Sequence, residues 1–351
     1  MIGRFFAWIL TLRWYQHLAL LILLPWCLWG LVLVAMPTTP TLRAIHSVGG
    51  EVVDLHLSYW DPKFLSIIGT LMGEKPIVDV FLGPRDPTRP EFQQVYNEQL
   101  TDEVILQLDL NSLGVLRLVD MSGPQITDRG FSHIAGNSRA PFLTCRHAQV
   151  SDTGLVSLAI TNPNLYAVDL TGNPITDAGL SLMSRFPSVP PANLTKPQLA
   201  ILKIGSTEIT DAGLSDRSTL PRLSGLGVDT AQLTDVAVAN LRPLTLSHLA
   251  VQTCSEKKKN RLRKDGIQFQ EVIDDQVVSR ISQLKLLSGI ELCGNAPGER
   301  AQLTSAAVKS LASMPQLARL LINDLQVDPA VLRQIRKELP RVQVFINGKP
   351  Q

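Results

Sequence analysis

An apolar triplet with the spacing L-x-x-L-x-L recurs along most of the chain. Its intact copies are Leu116/Val119/Met121, Ala140/Leu143/Cys145, Leu165/Val168/Leu170, Leu199/Leu202/Ile204, Leu223/Leu226/Val228 and Leu317/Leu320/Ile322. Copies followed by insertions are Ile77/Val80/Leu82, Leu246/Leu249/Val251 and Leu287/Ile290/Leu292, and Val52/Leu55/Leu57 is interpreted as an opening copy. Because alternate side chains of a strand point to the same face, each triplet predicts a short strand with one buried face.

A second pattern, typified by I-T-D-x-G-L, begins five residues after each triplet. The clearest copies are QITDRGFSHI, QVSDTGLVSL, PITDAGLSLM, EITDAGLSDR and QLTDVAVANL, with the Thr or Ser at Thr127, Ser151, Thr176, Thr210 and Thr234. Weaker copies begin at Thr101, Asp274, Thr304 and Asp328. Because the two patterns keep one phase over many copies, they predict a repeat of about two dozen residues.

The chemistry of the second pattern predicts the start of a helix. Its Thr or Ser can accept hydrogen bonds from free N–H groups as an N-cap, and the next residue, Asp, puts negative charge at the positive end of the helix dipole. The glycine two residues later removes a side chain where stacked units come close; it stands at Gly130, Gly154, Gly179 and Gly213. Since one unit has too little core, stability must come from stacking. These Asp and Thr residues are therefore interpreted as structural, not catalytic.

The combined pattern resembles the leucine-rich-repeat family, over roughly residues 48–346. Within that family it is similar to the cysteine-containing subclass of F-box adaptors and to bacterial membrane-anchored proteins with the same I-T-D-x-G-L phrase. The turn position that holds Asn or Cys in the subclass holds Asn173 in one unit, but it holds Pro124, Ala148, Thr207 and Ala231 in others. The resemblance implies an α/β solenoid, with parallel strands on the concave face and helices on the convex face. Capping units are expected at both ends, the C-terminal one containing Val342, Val344 and Ile346, followed by a tail at 347–351.

The N-terminal segment predicts a single transmembrane helix over residues 17–36. The run LALLILLPWCLWGLVLVAM carries no charge and is about 28 Å long as a helix, close to the thickness of the hydrocarbon core. Arg4 and Arg13 precede it, so the positive-inside rule keeps residues 1–16 in the cytoplasm. After a linker at 37–47, the repeat domain is then expected outside the cytoplasm. A cleaved signal peptide is the alternative.

Composition and motifs indicate a binding protein without a cofactor. The formal net charge is +2, so no partner is expected that recognises one sign of charge over the whole surface. The six histidines lack metal-ligand spacing, and the motifs of nucleotide sites and nucleophilic enzymes are absent from the sequence. We therefore predict no enzyme activity, no metal and no cofactor. Of the four cysteines, Cys254 and Cys293 are the pair that could form a disulfide; the alternative is that all are free thiols.

Two groups of side chains are candidates for binding. The first comprises residues expected on the concave face: Asp120, Arg146, Asp169, Lys203, Asp229, Glu291 and Asn323. The second is a basic insertion with Lys257, Lys258, Lys259, Arg261, Arg263 and Lys264. The basic cluster could contact anionic lipid or nucleic acid, and the alternative is a solvated loop. Outside the cytoplasm, nucleic acid is not expected as a partner.

Three functions remain open from the sequence. The first is a membrane-tethered, extracytoplasmic module that binds a protein or peptide. The second is a structural envelope protein whose solenoid coats or spaces a surface. The third is an adaptor for an enzyme such as a ubiquitin ligase, but the roughly 47 residues before the repeats leave no room for an F-box-like module beside the membrane helix.

Overall fold

The structure is a computed structural model that describes residues 40–54, 77–83, 97–138, 140–162, 165–182, 199–215, 223–296 and 298–350. The predicted transmembrane segment at 17–36 lies outside the described residues. Within the described ranges, no helix combines the length and the apolar character needed to cross a bilayer. The chain divides into two compact units, residues 1–43 and 44–351, and the description below concerns the second.

Strands and helices alternate along the described chain. The strands are β1 (Glu51–Asp54), β2 (Ile77–Phe81), β3 (Val115–Asp120), β4 (Phe142–Thr144), β5 (Ala167–Asp169), β6 (Ile201–Lys203), β7 (Gly225–Asp229), β8 (His248–Gln252), β9 (Gly289–Cys293), β10 (Glu299–Arg300), β11 (Arg319–Asn323), β12 (Leu325–Gln326), β13 (Gln343–Ile346) and β14 (Lys349–Pro350). The helices are α1 (Pro40–Ser47), α2 (Asp102–Ile105), α3 (Asp128–Ser138), α4 (Asp152–Thr161), α5 (Asp177–Leu182), α6 (Asp211–Ser215), α7 (Asp235–Leu241), α8 (Glu256–Lys264), α9 (Asp275–Ile281), α10 (Ser305–Ala312) and α11 (Pro329–Glu338).

The strands form one sheet in the order β1-β2-β3-β4-β5-β6-β7-β8-β9-β11-β13-β14, which is parallel from β2 to β13. The register confirms the repeat, because the middle members of successive triplets pair side by side: Val119, Leu143, Val168, Leu202, Leu226, Leu249, Ile290 and Leu320. The alternation of strand and helix in a parallel sheet confirms the predicted solenoid-like α/β fold.

The two ends of the sheet differ from the sequence-based expectation. β1 runs antiparallel to β2, with Val52 opposite Val80, so the interpretation of Val52 as the start of an opening repeat is wrong. At the other end Lys349 pairs antiparallel with Ile346, which places a strand in the predicted tail. The predicted linker contains α1. The antiparallel pairing of β13 with β14 needs only a short connection, here Asn347 and Gly348, unlike the parallel pairing between the two ends.

One apolar core runs through the stack from Ile45 to Val344. It is filled by the inward members of the triplets and by apolar side chains of the helices, such as Phe131 and Leu155, which are almost completely buried. Burial of one such side chain stabilises the fold by roughly 1.5–3 kcal/mol. No single coil encloses this core, so each coil depends on its neighbours.

The Thr/Ser–Asp pairs join consecutive coils by hydrogen bonds. The hydroxyl of Thr176 accepts from the N–H of Ala178 at 3.2 Å, which confirms the predicted N-cap. The carboxylate of Asp152, one coil earlier, accepts from the N–H of Thr176 at 2.9 Å and from its hydroxyl at 2.6 Å. The same link is made by Asp102 to Thr127, Asp128 to Ser151, Asp177 to Thr210 and Asp275 to Thr304. We call this series the aspartate ladder.

The glycine of the repeat makes room for the aspartate ladder. A Cβ atom added at Gly179 would collide with the carboxylate of Asp152, and Gly154 stands in the same relation to Asp128. This confirms that the glycines lie where stacked coils come close. Ala307 occupies the equivalent position near the C-terminal end, and its N–H still donates to Asp275 at 3.2 Å.

Candidate binding surface on the concave face

The concave face contains a hollow of about 650 Å³. It is lined by outward-pointing residues of β4 to β9 and β11, which alternate with the core positions, and by residues of the turns that follow the strands, such as Arg146 and Asp324. Four of the seven concave-face candidates are partly exposed there: Arg146, Asp169, Lys203 and Glu291. The structure therefore brings together residues that are up to 145 positions apart in the sequence.

Charges of alternating sign cross this hollow. The Nε atom of Arg146 lies 4.0 Å from a carboxylate oxygen of Asp169, and the Nζ atom of Lys203 lies 3.5 Å from Oε2 of Glu291. The side-chain amide of Asn323 donates to Oε1 of Glu291 at 2.9 Å. We call Arg146, Asp169, Lys203 and Glu291 the charged row. Each charged side chain of the row lies beside at least one of opposite sign, so the net charge of the hollow is small.

Lys203 reaches Glu291 across two intervening strands. β7 and β8 lie between them, and their outward positions beside Lys203 and Glu291 are Gly227 and Ala250. A Cβ atom at Gly227 would lie 2.7 Å from Cγ of Lys203, so the lysine stem occupies the space that a larger side chain would fill. Gly227 and Ala250 therefore leave the space through which Lys203 reaches Glu291.

The electrostatics keep both members of this pair charged. The Glu291 carboxylate, followed by Asp169, raises the pKa of Lys203. Lys203 in turn lowers the pKa of Glu291 despite its burial. Burial raises the pKa of the neighbouring thiol of Cys293 well above its usual value, so this thiol is protonated and poorly nucleophilic.

Asp120 is not available to a partner, contrary to the prediction. Its side chain is 2% exposed, and its carboxylate accepts from the hydroxyl of Ser122 at 3.0 Å. Burial raises the pKa of Asp120 to about 7, and the nearby Arg146 only partly opposes this shift. The outward-pointing positions of β3 next to the core are buried. The alternation of residues along a strand indicates the face on which a side chain lies, but not whether that face is exposed.

Asp229 and Asn323 are also buried, at 0% and 4% exposure. One carboxylate oxygen of Asp229 accepts from Ala231 and Gln232 N–H groups, and the other accepts from Ser206 N–H at 2.6 Å. The Nζ atom of Lys258 lies 2.6 Å from the same oxygen. Asp229 therefore holds the basic insertion in place and does not face a partner, while Asn323 orients Glu291.

The basic insertion is a helix, α8, and not a solvated loop. Its N-cap Ser255 accepts from the N–H of Lys258, and Lys258 and Lys259 are each only 7% exposed. Lys259 pairs with Glu256, Arg261 with Glu208 and Arg263 with Glu271. Within the described residues, Lys257 and Lys264 are the two lysines of this insertion that are exposed and make no ion pair. The predicted basic surface is therefore mostly neutralised by the protein itself.

Apolar side chains form one side of the hollow, and none of them was predicted from the sequence to belong to a binding site. Phe142, Ala167 and Ile201 are outward-pointing residues of β4, β5 and β6, and each is partly exposed. The ring of Tyr166 packs edge-on against Phe142 at 5.6 Å between ring centres. These residues stand two positions before Thr144, Asp169 and Lys203, so the period of two that located the charged row could also have located them.

The described cysteines are free thiols: Cys145, Cys254 and Cys293. Cys254 and Cys293 therefore do not form the disulfide that the sequence left open.

No group of three or more potential metal ligands occurs in the part of the chain that the structure describes. His147, beside Arg146, has its pKa lowered to about 4 by burial. The hollow thus offers ion pairs, hydrogen bonds and apolar contacts to a ligand.

Comparisons with known proteins found a matching family model and similar solved structures. The family model described as Leucine Rich repeat matches residues 161–184. The chain is similar to TLR13 in the crystal structure of its complex with ssRNA13, at 14% identity and a TM-score of 0.34, over 66% of this chain and 35% of that chain. It is also similar to an LRR protein of Leptospira interrogans, at 14% identity and a TM-score of 0.24, over 72% and 71% of the two chains.

Both TM-scores are too low to carry an argument about function. A comparison with curated proteins found no match. The family match lies on α4, β5 and α5, in the most regular part of the stack. Together with the strand–helix coils of one parallel sheet, it supports a leucine-rich-repeat family for this chain.

Proposed function

We propose that the protein is a membrane-tethered interaction module that binds a protein or peptide in the hollow of its concave face. The observation that carries the proposal is the hollow itself, of about 650 Å³, with partly exposed charged and apolar side chains side by side. Concave faces of repeat stacks are extended binding surfaces, since the helices occupy the other face. A volume of this size suits a peptide loop or a small ligand.

The membrane part of the proposal rests on the sequence. The uncharged run between residues 17 and 36 has the length of a spanning helix, and Arg4 and Arg13 place the N-terminus in the cytoplasm. The repeats would then lie outside the cytoplasm, as in the bacterial membrane-anchored proteins that the I-T-D-x-G-L phrase resembles. The alternative of a structural envelope protein without a specific ligand is an outcome of the test below.

Site-specific photo-crosslinking tests the binding surface. A photo-reactive amino acid at Thr144, in the hollow, should crosslink a discrete partner in cells, and the Thr144→Trp variant should abolish partner binding by filling the hollow. The same photo-reactive group at Val236, 57% exposed on the convex helix α7, is the matched control. Equal crosslinking from both positions, or none from Thr144, would support the structural alternative.

Protease accessibility tests the topology separately. In bacterial cells that express the full chain, protease added to spheroplasts should digest the repeats while the chain stays with the membrane after alkaline washing. Complete protection of the repeats would overturn the orientation. Release into the soluble fraction would favour the cleaved signal peptide.

A further inference from the structure

We infer that the partner enters the hollow with a basic side chain, lysine or arginine, which binds Glu291, while an apolar side chain several residues away along the partner contacts Phe142 and Ile201. This inference rests on the proposed function and specifies the chemistry of its ligand. Five observations support it: the charge of the lining, the acidic neighbours of its cations, the geometry of Glu291, the Oδ1 atom of Asn323 and the apolar side chains of the lining.

The charged side chains that line the hollow favour a cation. Two are basic, Arg146 and Lys203, and three are acidic, Asp169, Glu291 and Asp324. The lining therefore carries a net charge of −1 when all five are ionised. A cationic ligand is attracted by this excess, and field lines are concentrated in a concave site with low-dielectric walls.

The two cations of the hollow are already compensated. Arg146 is beside Asp169 and also feels the charge of Asp120, and Lys203 is influenced by both Asp169 and Glu291. An anionic ligand would have to approach these carboxylates to reach either cation. A ligand carboxylate or phosphate therefore meets repulsion that a ligand ammonium or guanidinium group does not meet.

Glu291 is placed to accept an additional donor. Its Oε1 atom is held by the Asn323 amide at 2.9 Å, and this fixes the direction of the carboxylate. Its Oε2 atom faces Lys203 at 3.5 Å, which is longer than a direct charge-assisted hydrogen bond. The Glu291 side chain is 25% exposed. A ligand N–H can therefore bind Oε2. Lys203 then moves away from Glu291 and keeps Asp169 as its other acidic neighbour.

The amide of Asn323 gives a separate indication of a donor ligand. The side chain lines the hollow and is 4% exposed, and its Oδ1 atom has no hydrogen-bond donor among the described residues. A buried carbonyl oxygen without a donor is costly, by about 1–3 kcal/mol. An ammonium or guanidinium group beside Glu291 brings several N–H donors to the Glu291–Asn323 pair.

Apolar surfaces flank Glu291 on both neighbouring strands. Ala250 on β8 and Leu321 on β11 pair in register with Glu291, and both line the hollow. The aliphatic stem of a lysine or arginine can lie on these side chains while its charged head reaches the carboxylate. Ile201 on β6 and Phe142 on β4, which are three and five strands away from β9, then remain for an apolar residue further along the partner.

Peptide pools test the inference with the full chain in detergent micelles. The probes are immobilised, acetylated and amidated hexapeptide pools with one position fixed as Lys, Arg, Glu or norleucine. We expect the Lys and Arg pools to retain about tenfold more protein than the Glu pool, and less at high salt. The Glu291→Gln variant should lose this preference, since glutamine keeps the hydrogen bond to Asn323 but not the charge. Glu103→Gln, at an exposed acid on α2, is the matched control.

A second variant changes retention in the opposite direction. Lys203→Met removes the cation that competes for Glu291, so it should increase retention on the Lys and Arg pools. Preference for the Glu pool, equal retention on all pools, or unchanged preference in Glu291→Gln would overturn the inference. If Thr144→Trp still abolishes partner binding in cells, the proposed function stands without it. If Thr144→Trp has no effect either, both fail.

Discussion

The regular coils from α3 to α6 and the coils around the α8 insertion are joined to their neighbours by different contacts. In the regular coils, an aspartate at the first position of one helix binds the N-cap of the next helix, as Asp152 binds Thr176. After α7 this link is missing: Asp235 occupies the same position, but its side chain is 75% exposed and pairs with Arg280. There the coils are tied instead by the buried pair of Lys258 and Asp229.

The difference shows which kind of contact is needed where an insertion interrupts the repeat. A repeated link needs only residues inside the repeat, so every copy carries its own bonding groups. An insertion separates the two halves of such a link, and a contact between distant residues has to replace it. A buried ion pair can do so, since its geometry is specific, although burying two charges is costly unless both are well bonded.

The largest effect is expected at the replacement contact. Lys258→Met leaves the Asp229 carboxylate buried without a cation, and this should lower the free energy of unfolding by about 3–5 kcal/mol. Urea denaturation followed by circular dichroism measures it. Lys257→Met, at the exposed neighbour, should change stability by less than about 0.5 kcal/mol. The double variant with Asp229→Asn should lose less than Lys258→Met alone, and equal losses would contradict the ion-pair account.

The next effect concerns the aspartate ladder. Asp152→Ala removes two hydrogen bonds to a carboxylate, and we expect a loss of about 3 kcal/mol. Asp235→Ala is the matched control, because this aspartate has the same place on its own helix but pairs with the Arg280 side chain and not with the N-cap of the next helix. Its loss should stay below about 1 kcal/mol. If the two variants lose equally in urea denaturation, the aspartates act only on their own helix dipoles.

The smallest effect concerns Asp120, the buried aspartate near Arg146, and is expected in the pH dependence of stability. The folded-state pKa of Asp120 is about 7 against an ordinary value of 3.8, so the folded protein binds more protons between these values and stability falls as pH rises. His147, with its pKa lowered from 6.5 to about 4, contributes the opposite slope.

Asp120→Asn should therefore make the slope of unfolding free energy between pH 4 and 7 more positive, by at most about 1.4 kcal/mol per pH unit. His147→Asn should make the slope more negative, and its asparagine tolerates the positive φ of 51° at this position. Denaturation of the three proteins at four pH values measures these slopes. An unchanged slope in Asp120→Asn would show that this carboxyl titrates normally.

The periodic features of the fold were predictable from the sequence, and the reason is physical. Leu143, Val168 and Leu202 align in the sheet because each must enter the same core, and this requirement leaves a visible period. Helix starts were predictable for the same reason, since every coil needs an N-cap. The partner of each Asp was not identified, because a carboxylate after an N-cap has a plausible local role at the helix dipole.

Contacts between unrelated positions were not predictable. The sequence placed Lys203 and Glu291 on the concave face, but it gave no signal for a contact across β7 and β8 other than the small residues Gly227 and Ala250. Lys258 was predicted to lie in an accessible basic cluster, either a binding site or a solvated loop, because lysine is rarely buried unless it is paired. Its partner Asp229 lies 29 residues earlier and follows a different triplet. Neither charge pattern nor periodicity links the two.

The aspartate ladder also makes each coil a transferable unit. Every link joins a carboxylate in one copy to an N–H or hydroxyl in the next, 23 to 33 residues later along the chain. Duplicating one complete copy would present the same acceptor and the same donors at both new junctions, so the stack could lengthen during evolution without new partners having to arise. The junction at α8 lacks this property, because the pair of Lys258 and Asp229 does not recur in other copies. Duplication of a coil is therefore expected only in the segments on either side of α8.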